Sequence, residues 1–274
     1  MQANPLNSCS ILLLGCGKMG TALLRGWLEA GIQPGSLRII EPNPSAWLKE
    51  SHIELITALP ETPPDVCVLA VKPQILPDAV RMVQPLGNAD TVILSIAAGI
   101  TLNFLQGVFG SRTPIVRAMP NTPAAIGHGI SALIGNRCAD GNVLELAEDL
   151  LSVAGETVRL DDESQLDAVT AVSGSGPAYV FHLIETLTAA GIDEGLEPGL
   201  ALRLAKATVA GAGRLALLSG PSPSQLRVDV TSPAGTTAAA LSHLMDEKNG
   251  LATLMRRSVK AAADRSRELG KTDG

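Results

Sequence analysis

Six residues near the start of the chain, Gly15-Cys16-Gly17-Lys18-Met19-Gly20, have the spacing of a turn that receives phosphate. Gly15 permits the tight turn, Gly17 lets a pyrophosphate approach the backbone, and Gly20 lets the next helix pack closely on the preceding strand. Glycines mark many ordinary turns, so the context decides. An apolar run at 10–14 precedes the turn, helical spacing follows over 18–30, and an acid comes about 20 residues further on. That context predicts a nicotinamide dinucleotide with its pyrophosphate at the helix N-terminus. The acid is Glu41, in Ile39-Ile40-Glu41-Pro42-Asn43. At a strand end it accepts bonds from the adenosine ribose hydroxyls and repels a 2′-phosphate. No Arg follows in that loop, the nearest being Arg38 upstream, so the sequence leans to NADH over NADPH. A solvated loop acid is the alternative for Glu41. Asn43 is counted with it on the cofactor side.

Three further segments sit where strands give way to loops: Ala70-Val71-Lys72-Pro73, Ile96-Ala97-Ala98-Gly99 and Met119-Pro120-Asn121-Thr122-Pro123. In open parallel sheets the ligand crevice lies beyond the carboxyl ends of the strands. Ala70, Val71, Lys72, Pro73, Ile96, Ala97, Ala98, Met119 and Asn121 are therefore expected to line the cofactor. The small residues at 97–99 would let a nicotinamide ring lie against backbone. Lys72 is either a ribose contact or a surface lysine. A last constellation, Thr231-Ser232-Pro233-Ala234-Gly235-Thr236-Thr237, runs into a helical Ala238-Ala239-Ala240-Leu241. Hydroxyl residues there serve either as helix caps or, with the free backbone N–H groups and the helix dipole, as a carboxylate receptor without arginine.

The elements that must position these residues fall into two kinds. Strand-like runs at 10–14, 37–40, 54–57, 66–71, 91–96, 114–117, 130–134 and 156–160 alternate with helical stretches at 18–30, 75–83 and 141–154. Such alternation specifies an α/β, doubly wound, mostly parallel sheet of the Rossmann type over 1–161. From 162 to 274 strand signals vanish, giving an all-α C-terminal domain with helices at 163–191, 198–218, 224–228, 235–245 and 250–269. The first of these must bend around Ser173-Gly174-Ser175-Gly176-Pro177. Ala207, Ala210, Gly211, Ala212 and Gly213 would permit close helix approach, across a subunit interface or within the chain.

Composition excludes several function classes. The formal net charge is −6 without a long run of either sign, which argues against nucleic acid. Aromatics are 2% of 274 residues, so the core must be built from Ala, Leu, Val and Ile. Cys9, Cys16, Cys67 and Cys138 show no C-x-x-C, so no metal site or disulfide framework is expected. They read as buried small hydrophobes in a reducing compartment. The run at 11–14 is too short for a secretory signal. The apolar tract 198–219 carries Arg203, Lys206 and Arg214, against a membrane span. The expectation is a soluble, cytoplasmic protein.

Taken in order, the glycine turn, Leu69-Ala70-Val71-Lys72-Pro73, Ala97-Ala98-Gly99, Arg117-Ala118-Met119-Pro120-Asn121-Thr122-Pro123, Ser173-Gly174-Ser175-Gly176-Pro177-Ala178-Tyr179 and Thr231-Ser232-Pro233-Ala234-Gly235-Thr236-Thr237 resemble pyrroline-5-carboxylate reductase. The resemblance runs from about residue 11 to 267, and its last two motifs are far more specific than the first. It implies reduction of 1-pyrroline-5-carboxylate by NAD(P)H to L-proline. It also implies a helical domain that interlocks in a homodimer, often assembled into decamers. Carried over by motif, Thr237 matches the threonine whose hydroxyl contacts the ring nitrogen. Ser232, Gly235 and Thr236 match the carboxylate-binding turn, and Glu163 falls where some members have an acid near the substrate. The chain departs from the family at Ala234, where many members have glycine, and at Glu41, where many carry a hydroxyl, Asn or Arg.

Reducing an imine that arrives protonated needs positioning more than acid catalysis. That suits a chain whose four histidines, His52, His128, His182 and His243, lie outside every motif. Two rivals stay open: a two-domain hydroxy-acid dehydrogenase, which would need a His or Lys in the crevice, and a non-catalytic dinucleotide sensor.

Overall fold

The computed structural model describes Leu6 and residues 9–271. Eight strands form one sheet: β1 (Ile11–Leu14), β2 (Leu37–Ile40), β3 (Glu54–Leu55), β4 (Val66–Leu69), β5 (Val92–Ser95), β6 (Ile115–Met119), β7 (Gly129–Gly135) and β8 (Gly155–Arg159). Their order is β3-β2-β1-β4-β5-β6-β7-β8. Every pairing is parallel except β6 with β7. The strand order reverses at β1 and β4, the switch point at which such sheets open a ligand crevice.

Alternation along the central strands explains the double winding. Ile11 and Leu13 join a core with Leu23, Leu24 and Trp27 of α1 (Lys18–Glu29) on one face. Leu12 and Leu14 join Val80 and Val83, and Leu105 and Phe109, on the other. The first pair belongs to α3 (Leu76–Val83) and the second to α4 (Leu102–Phe109). Two further helices complete this half: α2 (Ala46–Glu50), capped by Ser45, and α5 (Gly141–Ser152), capped by Asp140. Trp27, fully buried, donates its indole N–H to the Leu150 carbonyl at 2.8 Å, which is how a polar aromatic is accommodated in an aliphatic core.

The remaining chain is helical: α6 (Gln165–Val169), a single π-turn (Thr170–Gly174), α7 (Gly176–Asp193), α8 (Pro198–Leu218), α9 (Pro223–Asp229), α10 (Thr236–Leu244) and α11 (Leu251–Lys271). The helix expected over 163–191 is interrupted at 170–174 by the π-turn, and Pro177 lies in the first turn of α7. Two compact units result. The described parts of Met1–Gly174 and Ala262–Gly274 make the first, and Ser175–Ala261 the second. The boundary read at 161/162 marks the end of the last strand, whereas compactness carries α6, the π-turn and the end of α11 with the sheet.

Ser266 Oγ donates to Asp167 at 2.6 Å, and Leu269 lies against Gly99 in the same unit. Among the described residues no helix is long and apolar enough to cross a membrane.

Candidate functional site

Three backbone hydrogen bonds line up the strand ends of the first unit. Gly15 N–H donates to Ile40 O (2.9 Å), Ala70 N–H to Leu14 O (2.8 Å), and Ile96 N–H to Leu69 O (3.1 Å). The loops beginning at 15, 41, 70 and 96 therefore stand side by side, because parallel register carries all four strands to the same edge. Gly15 has φ +89°, and a Cβ there would lie 2.6 Å from Val71 Cγ1. A Cβ on Gly20 would lie 2.6 Å from Gly15 O and 3.4 Å from Ala70 Cβ. Gly17 is different: it is exposed, and nothing lies within 4 Å of a Cβ placed on it. Two glycines thus close the turn while the third leaves open space over backbone.

That open space adjoins a helix start. Gly17 is the N-cap of α1 and no side chain caps it. The N–H groups of Lys18, Met19 and Gly20 lack intrahelical partners by the geometry of any first turn. Lys18 is exposed, Met19 half-buried and Cys16 buried. A dianionic pyrophosphate matches this cradle in charge and in donor supply.

Glu41 follows β2 directly and ties two loops together. Its Oε2 accepts from Cys16 N–H at 2.8 Å and its Oε1 from Asn43 N–H at 2.9 Å. Each oxygen keeps a free lone pair, enough to accept from two ribose hydroxyls. Arg38 is committed elsewhere, its Nε 3.0 Å from Glu54 Oε2. Lys72 is exposed; Ala97 is buried, and Ala98 half-buried. Met119 fills the space a Cβ on Gly174 would take. The Asn121 side chain is spent internally: it donates to Ser173 Oγ (3.2 Å) and accepts from Ile130 N–H (2.9 Å). Its position is thereby fixed by the π-turn, a partnership that sequence spacing did not suggest.

Glu163 sits in a network of its own. Its Oε1 accepts from Leu102 N–H at 2.7 Å, the first amide of α4, and from the buried Arg117 guanidinium. Among the described residues no hydrogen bond falls on Oε2. Arg117 takes a part that its motif does not reveal; the signal in the sequence is a lone charge inside the apolar strand run Ile115-Val116-Arg117-Ala118.

In the second unit the turn before α10 answers the question of capping. The N-cap is Gly235, and no side chain caps it. Thr231 Oγ1 donates backward to Arg227 O at 2.6 Å, and Gly235 N–H bonds Ser232 O at 3.1 Å. The hydroxyls of Ser232, Thr236 and Thr237 are not used as caps of this helix, so they are available to a ligand along with the first-turn amides. Ala234 has φ +57°, a left-handed conformation that glycine adopts without strain. Thr237 is half-buried.

The sulfur chemistry is quiet. Burial pushes the Cys67 thiol up to about 12, and burial together with the Asp65 charge pushes Cys9 up to about 11. Burial is also the main cause raising Cys16, which the Glu41 charge reinforces and the Thr21 hydroxyl opposes. Cys138 departs from the expected burial: it is exposed, its Sγ donating to Ser111 O at 3.2 Å, because the β7–α5 loop that carries it lies at the surface. All four histidines are exposed within the single chain.

Two family models match the chain. Residues 163–269 match a family model described as pyrroline-5-carboxylate reductase dimerisation. Residues 10–99 match one described as NADP oxidoreductase, coenzyme F420-dependent. A pyrroline-5-carboxylate reductase of Pseudomonas aeruginosa is 39% identical over 269 residues, covering 96% of this chain and 98% of that one. A solved pyrroline-5-carboxylate reductase structure from Coxiella burnetii superposes with TM-score 0.87 at 32% identity, over 96% of this chain and 99% of that chain. The Plasmodium falciparum pyrroline carboxylate reductase, solved with NADP bound, gives TM-score 0.85 at 29% identity, with 96% and 99% covered.

Proposed function

The chain belongs to the pyrroline-5-carboxylate reductase family, and we propose that it reduces 1-pyrroline-5-carboxylate to L-proline, the last step of proline biosynthesis. The observation that carries this reading is that the likeness covers 96% of the chain and so extends over both units, the second of which holds the uncapped hydroxyl turn at 231–237. A hydroxy-acid dehydrogenase would share the sheet but has no use for that turn in place of a crevice His or Lys. A sensor has no use for it at all.

The glycine turn and the uncapped start of α1 fit a nicotinamide dinucleotide, with Gly15, Cys16, Gly17, Lys18, Met19 and Gly20 on the pyrophosphate. Glu41 and Asn43 take the adenosine ribose side. Ala70, Val71, Lys72, Pro73, Ile96, Ala97, Ala98, Met119 and Asn121 line the remainder. When bound, the cofactor supplies the hydride that the imine carbon accepts. Ser232, Gly235 and Thr236 hold the substrate carboxylate with hydroxyls and first-turn amides. The Thr237 hydroxyl is the catalytic contact at the ring nitrogen, and Glu163 offers its free Oε2 on the substrate side. Because the nitrogen arrives protonated, these residues orient the ring and need not donate a proton.

NADH is the preferred donor in this reading, since Glu41 stands where a 2′-phosphate would go and Arg38 is already paired. Residues 1–161 carry the cofactor, and residues 162–274 carry the substrate turn and the homodimer interface; five dimers assemble into a decamer. Four free cysteines fit a cytoplasmic setting. Steady-state kinetics with both cofactors on the same imine test the proposal. NADH oxidation dependent on pyrroline-5-carboxylate, with proline as product, is the expected result. No oxidation of either cofactor would leave the sensor reading standing.

A further inference from the structure

One carboxylate joins three stretches of the first unit that are far apart in sequence. Glu163 accepts from Leu102 N–H, 61 residues upstream, and from Arg117, 46 residues upstream, both on the same oxygen. Leu102 opens α4 directly after the segment Ala97-Ala98-Gly99-Ile100-Thr101. Arg117 lies in β6, two residues before Met119. The pair is sheltered, with side-chain exposures of 10% for Arg117 and 31% for Glu163. Around it Gly99, Asp162, Ser164, Asp167 and Arg267 line a common cavity.

The segment 97–101 needs such a fastening. Gly99 is at φ +79°, so the chain turns sharply there, and the side chains at 97 and 98 are single methyl groups that anchor weakly. Ile100 is fully buried beneath it, while Thr101 turns its hydroxyl to Phe104 N–H. Beside that packing, the far end of the segment is fastened by the Leu102 amide on Glu163, and Arg117 bonds the same carboxylate oxygen. A guanidinium projecting from a central strand is a rigid support, because both its backbone and its charge are locked.

We propose that Arg117 is a positioning residue: acting through Glu163, it sets the height of the 97–101 segment over the sheet edge and hence the seat of the nicotinamide ring. The inference rests on the reductase reading above. It adds a residue whose role is to hold Glu163 and, through it, the reaction geometry. Misplacement by about 1 Å of a group that seats reactants can cost roughly a hundredfold in rate. The pyrophosphate cradle at 15–20 is fastened separately, through β1, β2 and Val71, so its grip on the dinucleotide is independent of this latch.

Arg117→Met, Glu163→Asp and the charge-balanced Arg117→Met/Glu163→Met pair test it. Glu163→Asp keeps the charge but shortens the reach, so it separates positioning from folding. In each, the expected result is a kcat lower by roughly tenfold to a hundredfold with the Kd for NADH within about threefold of the parent. Arg117→Lys restores part of kcat. Amide hydrogen exchange supplies a readout independent of turnover: peptides covering 97–104 exchange faster in the variants, while those of β1 and α1 keep their protection. A parent protein that turns over with variants that match its kcat overturns the latch. So does unchanged exchange at 97–104, or a loss of activity that merely tracks the unfolded fraction. A parent that binds NADH but never reduces the imine overturns the reductase reading instead, and the exchange data still decide whether the latch exists.

Discussion

The two units of this chain solve the burial of apolar surface in opposite ways. The first closes its own core: Leu23, Leu24 and Trp27 of α1 and the residues of β1 and β4 are buried on both faces of the sheet. In the second, α7, α9 and α10 have no buried residue, and α8 buries only Ala201 and Ala205. Phe181, 58% exposed, and Leu200, Leu204, Leu215 and Leu218 stand open within the single chain. Ala207 and Ala210 to Gly213 are exposed as well, so packing within the chain is not their purpose. A sheet flanked by helices can cover its strands alone, whereas a few helices linked by short turns leave a wide apolar face. A match over 163–269 to a family model described as dimerisation fits that need, since a second copy would supply the missing cover.

The largest effect expected from breaking this contrast is in the first unit. Trp27→Ala removes a fully buried indole and its bond to Leu150, at a cost of about 3–5 kcal/mol, read by denaturant unfolding. The corresponding insult to the second unit should act on assembly instead. Leu204→Glu sets a charge on the open face and is expected to shift the dimer to monomer in sedimentation, with the sheet unit's circular dichroism retained. A dimer that survives would place the interface elsewhere.

Smaller effects separate the units by function. Thr237→Ala should lower kcat roughly tenfold to a hundredfold, the loss of one hydrogen bond made in the transition state, and leave NADH affinity unchanged. Glu41→Ser should do the reverse, raising the NADPH-to-NADH ratio of kcat/KM by about tenfold through relief of a like-charge contact and leaving the substrate turn intact. A ratio that does not move removes Glu41 from the ribose site.

The smallest effect concerns the edge of the sheet. The Arg159 guanidinium bonded to Glu148 holds its carboxyl below the usual range. A depressed carboxylate contributes stability above its ordinary titration range, and that contribution is lost as pH falls through the lowered value. Arg159 is exposed and Glu148 half-buried, so water screens the pair. Glu148→Gln should therefore lower the melting temperature by on the order of 1 °C at neutral pH, and the difference should vanish in acid.

Much of the first unit was readable because its signals are local. An apolar strand, three glycines and an amphipathic helix occupy one short stretch, and α1 ends within a residue of its expected limit. α8 was bounded by Pro198 at one end and Ser219 at the other. What escaped was non-local. The antiparallel entry of β7 depends on where the chain returns. The short helix α4 was also missed, although Thr101 caps it and Leu102, Leu105 and Phe109 recur at helical spacing. The exposure of Cys138 depends on a loop's path over the surface.

The sequence by itself determined that a dinucleotide turn opens the chain and that a hydroxyl turn follows in a helical half, since both are written in contiguous residues whose chemistry does not depend on their surroundings. Only the tertiary structure decided that those hydroxyls leave α10 uncapped, that Asn121 is held by Ser173, and that Arg117, Glu163 and Leu102 meet on one oxygen. Such side-chain contacts join residues tens of positions apart, and it is the folding of loops and helix ends back over the end of the sheet that brings them together.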